Sequence, residues 1–275
     1  MNAFNPSAPR GFVLADQAKI ARKLQRFLAA GPNKLQFVFD FDHTLTGSTD
    51  TTTWHLLHEL LPEEGKQASR AMRNKYLALE AEGKLSAADS HAWSIGELGL
   101  HSQHGTAIRH VKQAAQAVTL RPGTHELFAL CAKAQIPTVI LSAGIKDIIE
   151  LIAAEHNIHP TRIISIQLVV DDHGRITAWD QTSIIHPMNK HEQGARELSK
   201  IARQRPYTIL VGDTIGDAGM VVGDENVLRI RVCEPGKETQ RSSAAYLRQS
   251  FAAGYDMVAQ KDLQPLASLT EWILG

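Results

Sequence analysis

Leu35-Gln36-Phe37-Val38-Phe39-Asp40-Phe41-Asp42-His43-Thr44-Leu45-Thr46 is the stretch on which the fold turns. Its apolar opening, Leu35 to Phe39, reads as a strand buried on both faces, as parallel strands are. Two carboxylates then follow two residues apart, where the strand opens into a loop. In an open α/β sheet, ligands bind at that C-terminal edge. Residues i and i+2 share a face, so Asp40 and Asp42 converge on one small space if the backbone stays extended. Anions held that close need a shared cation, or one of them takes a proton. The pair therefore reads as a nucleophile and a general acid around a divalent metal. By itself it also fits a turn or a helix-cap pair.

Outward from this stretch, strand and helix signals alternate. Residues 17–30 carry a helical stripe of Ile20, Leu24, Phe27 and Leu28, stopped by Gly31-Pro32. Between residues 50 and 120, β-branched runs vanish and Ala, Leu, Glu, Gln and Lys dominate. Helices are expected there around Trp54–Leu61, around Met72–Leu79 and over Ala107–Val118. Arg121-Pro122-Gly123 is turn punctuation, and alternation resumes beyond it. Strands are expected at 136–141, 162–166, 207–211 and 227–232, with helices at 145–156 and 191–204. A hairpin is expected over 168–179 around Gly174, and a short edge strand over 255–259. The pattern predicts an α/β fold: a doubly wound, Rossmann-like parallel sheet with a helical cap inserted after the first strand. The expected division is a core of 1–48 and 121–275 and a specificity cap of 49–120.

Composition narrows the function. The chain's 275 residues suffice for one large domain or two modest ones. Lys plus Arg equals Asp plus Glu at 29 each, without the basic excess of a protein bound to nucleic-acid polymer. Cys131 and Cys233 lack metal-site spacing and read as reduced core thiols. Met1 to Gly11 shows no signal-peptide pattern. No run approaches the ~20 apolar residues of a membrane helix. A cytoplasmic protein is expected, monomeric or weakly self-associating, with no membrane partner.

Three further segments carry chemistry. Val139-Ile140-Leu141-Ser142-Ala143-Gly144 ends a strand with a hydroxyl and small residues. At a helix N-terminus these would suit a phosphate oxygen, though Ser142 also fits an ordinary N-cap. Val211-Gly212-Asp213-Thr214-Ile215-Gly216-Asp217 sets two carboxylates four apart in a bendable loop. Mg²⁺ prefers oxygen ligands and keeps several waters, so one or two carboxylates per loop suffice. Lys190 precedes a helix. It reads as a solvated surface group or as the cation offsetting a carboxylate-rich phosphate pocket.

The order DxDxT, Ser, Lys, GDxxxD, over residues 36–232, resembles the haloacid dehalogenase superfamily of aspartate-nucleophile phosphohydrolases. Within it the chain is most similar to the cytosolic 5′-nucleotidase III, or pyrimidine 5′-nucleotidase, family. The likeness rests on Asp40 to Thr46, Lys75-Tyr76-Leu77-Ala78-Leu79-Glu80, Ser142 to Ile145, Ile184 to Lys190, GDTIGD with Met220, and Tyr255 to Val258. His43 stands where that family often has Met. Arg231-Val232-Cys233 replaces its usual Gly-x-Leu-Asn, and residues 82–121 match loosely.

The resemblance implies Mg²⁺-dependent hydrolysis of a small phosphomonoester, here a pyrimidine nucleoside 5′-monophosphate. Asp40 would be the nucleophile, and Asp42 the acid and then the base. Asp40, the Asp42 carbonyl and Asp213 would hold the metal. Ser142 and the Ala143 N–H would bind phosphate, with Thr44 positioning the loop or the phosphate. Lys190 would neutralise charge, and Asp217 would orient Lys190 or a metal-bound water. Glu80 would accept from a base edge, although it also fits a surface acid near Lys84. Ser102 is a further substrate candidate, with neighbouring His101 the alternative one position away. Tyr76 and Trp93 fit either base stacking or the core. The competing readings are a phosphoserine-phosphatase-like enzyme and a catalytically silent nucleotide-binding protein. A dehalogenase would need neither Asp42 nor the acidic GDTIGD loop.

Overall fold

In the computed structural model, residues 10–47, 51–232, 243–259 and 262–275 are described. Cys233 and most of Met1 to Gly11 lie outside them. The first part of the chain is β1 (Phe12–Leu14), α1 (Gln17–Ala30) and β2 (Leu35–Phe39). Helices α2 (Thr53–His58), α3 (Glu63–Ala81), α4 (Ala87–Gln103), α5 (Lys112–Gln116) and α6 (Thr124–Lys133) follow. Then come β3 (Thr138–Ile145), α7 (Lys146–Glu155), β4 (Arg162–Ile166), β5 (Leu168–Val170) and β6 (Ile176–Trp179). The last part holds α8 (Lys190–Gln204), β7 (Tyr207–Gly212), β8 (Val227–Arg231), α9 (Ala244–Ala252), β9 (Met257–Ala259) and α10 (Gln264–Leu274).

Seven strands form one sheet in the order β1-β9-β8-β7-β2-β3-β4. All its pairings are parallel except β1 with β9. Alternate residues of the central strands enter separate cores on the two faces. Phe37, Phe39, Ile140, Ile209 and Val211 lie on one face, and Val38, Val139, Leu141 and Leu210 on the other. That period of two, with both faces apolar, is the signature of a sheet covered on both sides. Helices α1, α6, α7 and α10 supply apolar side chains to the first core, and Leu198 of α8 to the second.

From β2 the chain moves toward β3 and β4, then crosses back to β7 on the other flank of β2. The strand order therefore reverses between β2 and β7, the position where doubly wound sheets bind ligands. Phe39 lies level with Val211 on β7 and Ile140 on β3, so the C-terminal ends of all three strands open together.

Several elements differ from expectation. The strand entering Asp40 is the second in the chain, because the three-residue β1 is too short to show periodicity. β9 is interior, since β1 covers it as the edge. Helix α4 has no apolar stripe: its buried face includes Ser90, Glu97 and His101, so only the Ser86/Asp89 capping box marks its start. The expected helix over 107–118 is one 3₁₀ turn, Ile108–Val111, followed by the short α5. The hairpin β5–β6 stands apart from the main sheet and packs on α4. Its Arg175 bridges Ala107, and the Ile176 N–H donates to the Thr106 carbonyl at 2.8 Å.

β3 runs on through Ser142, Ala143 and Gly144 to Ile145, with a register shift against β4. Ser142 thus sits in an irregular strand end, not at a helix N-terminus as expected. Its Oγ accepts the Gly144 N–H at 3.1 Å, which holds the bulge.

Candidate active site

Asp40 follows β2 directly and is fixed there by its N–H, which donates to the Val211 carbonyl at 3.0 Å. The chain then turns over Phe41, whose carbonyl accepts the N–H groups of Thr44, Leu45 and Thr46 at 2.9–3.2 Å. His43 occupies the left-handed region at φ 60°, and its N–H donates to Thr46 Oγ1 at 2.8 Å. Buried Arg121 grips this loop from the far side, donating through Nε to the Thr44 carbonyl at 3.0 Å and through Nη2 to the His43 carbonyl. Sequence alone marks Arg121 as turn punctuation only.

Lys190 begins α8, and its buried ammonium lies 2.7 Å from Asp40 Oδ1 and 2.6 Å from Asp217 Oδ1. Burial would lower its pKa. The charges of Asp217 and Asp40 overcome that and hold it above the ordinary lysine value. The solvated alternative for Lys190 is therefore excluded. Asp217's other oxygen accepts the Thr214 N–H at 2.9 Å and the Thr214 hydroxyl at 2.8 Å. Gly212 makes room for this return, since a Cβ there would stand 2.3 Å from Asp217 Cβ.

Thr44 Oγ1 lies 3.2 Å from Asp40 Oδ2 and 3.1 Å from Asp213 Oδ1. One hydroxyl proton cannot satisfy both carboxylates. One oxygen from each of Asp40, Asp213 and Asp217 lies within 4.8 Å of the others. Burial pushes Asp40 up, with Lys190 the main force pulling it back. Asp213 stands well above the usual carboxylate range, through burial first and then the charges of Asp40 and Asp217. Hard oxygen donors crowded to the point of mutual repulsion fit a small divalent cation. Asp217 is within reach of that position, but both its oxygens are engaged by Lys190 and Thr214. Its geometry suits orienting Lys190.

Asp42 has a different environment. Its Oδ1 accepts the Thr53 N–H at 3.0 Å, and its Oδ2 accepts the Thr53 hydroxyl at 2.8 Å. Burial first, then the Asp40 charge, raises it to about 6 against the pull of Thr53. Thr53 opens α2 and also accepts the Ile145 N–H at 3.2 Å, linking the helical insertion to both strand ends. A Cβ on Gly144 would stand 2.4 Å from Thr53 Oγ1, 3.0 Å from Asp42 Oδ2 and 3.3 Å from Ser142 Oγ. Asp42, Thr53 and Ser142 therefore converge around Gly144. Trp54 Nε1 donates to the Ala143 carbonyl at 2.8 Å, which fixes that peptide.

Thr53 was not among the residues expected here. The Thr51-Thr52-Thr53 run marks a helix start, but its long-range partners have no local signal. Glu80 is exposed on the last turn of α3 and makes no described contact with the aspartates. The Ser102 hydroxyl donates to the Thr177 carbonyl of the hairpin at 2.9 Å, and His101 is buried beside Thr106. Tyr76 and Trp93 stack on each other at 5.5 Å, with Trp93 Nε1 donating to buried Glu97 at 3.2 Å. The insertion reaches the core again where the His91 ring meets that of His186 at 6.0 Å, four residues before Lys190.

The family described as pyrimidine 5′-nucleotidase (UMPH-1) matches residues 42–269. A Xenopus laevis 7-methylguanosine phosphate-specific 5′-nucleotidase A is 28% identical over 270 residues, covering 90% of each chain. The Drosophila melanogaster 7-methylguanosine phosphate-specific 5′-nucleotidase is 29% identical over 231 residues, covering 76% of this chain and 71% of its own. Cytosolic 5′-nucleotidase IIIB, solved with cytidine, superposes with a TM-score of 0.81 at 24% identity, over 96% of this chain and 93% of that one. A substrate-bound phosphoserine phosphatase shares the fold more distantly, with a TM-score of 0.54 at 20% identity over 83% of this chain and 93% of that one. With most of its length matched, the chain belongs to the pyrimidine 5′-nucleotidase family, phosphoric monoester hydrolases of the haloacid dehalogenase fold.

Proposed function

We propose that this enzyme hydrolyses nucleoside 5′-monophosphates with Mg²⁺ and through an aspartyl-phosphate on Asp40. The observation that carries the reading is the separation of environments between two neighbouring carboxylates. Asp40 faces a buried ammonium at 2.7 Å, whereas Asp42, raised to about 6, is held by the N–H and hydroxyl of Thr53. Neighbouring carboxylates held in such unlike surroundings suit the separate roles of nucleophile and acid.

Asp40 attacks phosphorus through a carboxylate oxygen as the P–O ester bond breaks, and the leaving oxygen takes the proton of Asp42. A water then attacks the phosphoryl group from the side Asp42 faces, giving its proton to Asp42. The P–O bond to Asp40 breaks, releasing inorganic phosphate. The two Thr53 donors hold Asp42 in place through both steps. Lys190 stays charged and neutralises Asp40 and the transferring oxygens. Ser142 and the Ala143 N–H take another phosphate oxygen, and Asp217 keeps Lys190 aimed at the site. The Asp40 and Asp213 carboxylates and the Asp42 carbonyl would hold Mg²⁺, which when bound supplies Lewis-acid stabilisation of the phosphoryl oxygens.

Residues 49–120, joined by hairpin 168–179, act as the cap over this centre. Its two crossings are stitched together by the Thr46–Leu120 bridge and by the Gly47 N–H donating to the Thr119 carbonyl at 3.0 Å. Exposed Glu80 is the proposed base contact. Ser102 remains a secondary substrate candidate, since its hydroxyl donates to Thr177 and keeps its acceptor lone pairs. The pyrimidine restriction is widened, since relatives act on 7-methylguanosine phosphate by name. A cytoplasmic setting matches the names of the cytosolic relatives. Phosphate release from UMP, CMP, 7-methylguanosine monophosphate, AMP, GMP and phosphoserine, with and without EDTA, tests the reading. Nucleotide turnover abolished by chelation is the expected result. Preferred hydrolysis of phosphoserine, or indifference to EDTA, would overturn it.

A further inference from the structure

Arg231 stands at the end of β8, level with Gly212, and is completely buried. Its Nε donates to the Asp213 carbonyl at 3.0 Å, and its Nη1 donates to Ser250 Oγ at 2.7 Å. The guanidinium carbon lies 4.3 Å from the centre of the Tyr246 ring and 5.9 Å from that of Tyr255. The Tyr255 hydroxyl in turn donates to the Thr214 carbonyl at 2.6 Å. Two consecutive carbonyls of the GDTIGD loop are thus gripped from behind, one by a cation and one by a phenol.

This grip has a consequence for Asp213. Its carboxylate must project toward Asp40 and Asp217, against their repulsion, for a cation to be shared. Fixing the Asp213–Thr214 and Thr214–Ile215 peptide planes prevents the loop from relaxing away. Groups that orient a ligand from outside its coordination commonly change metal affinity by ~10–100-fold when removed.

We propose that Arg231, seconded by Tyr255, is a positioning residue for the cation site, acting on metal affinity through the Asp213–Thr214 backbone. The proposal rests on the reading that Asp213 holds the cation. The test is Mn²⁺ binding, followed by electron paramagnetic resonance of the free ion, on the wild-type chain and on Arg231→Met, Arg231→Lys, Tyr255→Phe and Asp213→Asn. Near-ultraviolet circular dichroism checks that each is folded. Arg231→Met is expected to weaken Mn²⁺ binding ~10–100-fold. Arg231→Lys should recover part of that loss, and Tyr255→Phe should show a smaller weakening. Under excess metal, kcat should return toward wild type, which a general packing defect would not allow. Unchanged Mn²⁺ affinity in folded Arg231→Met overturns the proposal. If that variant does not fold, unchanged affinity in Tyr255→Phe does so. Wild-type affinity in Asp213→Asn would overturn the metal assignment beneath it, whereas loss there with no effect at Arg231 sinks this inference alone.

Discussion

A buried lysine between two carboxylates is costly to assemble and costly to break, because removing it strands two anions in a dry site. Lys190→Ala should therefore lower kcat by ~30–1000-fold, about 2–4 kcal/mol of transition-state stabilisation, measured by phosphate release at saturating substrate. Asp40→Asn should remove nearly all turnover while leaving the thermal transition in place, and residual kcat near the wild-type value would exclude Asp40 as nucleophile. Asp40 was legible because it lies in a short motif at a strand end, and Lys190 because it stands at the start of a helix. Lys190 is 150 positions from Asp40, yet the order of motifs along an alternating chain brings it there. Thr53 and Arg231 were not legible in the same way. Their partners lie 11 and 18 positions away across loops and strands, and neither residue type announces such a contact.

At the scale of elements, α8 carries Lys190 and must lie very close to the loop after β7. Gly194, one turn along, allows this: a Cβ there would stand 1.9 Å from the Met220 carbonyl oxygen and 3.3 Å from Leu141. Gly194→Ala should push the helix outward, costing ~1–3 kcal/mol in urea unfolding and lowering kcat more than it raises KM. Unchanged stability and kcat would show that α8 does not need this approach to aim Lys190. The strands of the central sheet could be read in advance because both their faces are apolar. Helix α4 could not, since a helix whose buried face includes Ser90, Glu97 and His101 lacks the periodic apolar signal. Ser142 was placed at the right strand end but in the wrong conformation, because a bulge in β3 leaves no compositional mark.

For the whole molecule, one histidine sets part of the acid limit. His101 is buried against Thr106, and burial depresses it from 6.5 to about 4. The folded state thus binds fewer protons than the unfolded chain in that window. Its contribution is complete above pH 6.5 and is lost as pH falls toward 4. The full span corresponds to about 3 kcal/mol. His101→Gln should flatten the fall in unfolding free energy between pH 6.5 and 4 by roughly that amount in urea titrations, and an unaltered slope would contradict this assignment. The division expected at 48 and 121 rests on composition alone. What composition did not reveal is that Leu56, Leu57, Leu98 and Val111 of the insertion join the same apolar cluster as the sheet.

Thr53 gives that shared packing a meaning for how such enzymes diversify. The residue that holds the proposed proton donor, Asp42, belongs to the proposed cap, so specificity and chemistry would share one segment of chain. A graft of a foreign lid onto this scaffold would import a new substrate range together with a differently set acid. Only lids that open with a hydroxyl-bearing residue at that first helical turn should transplant without loss of speed.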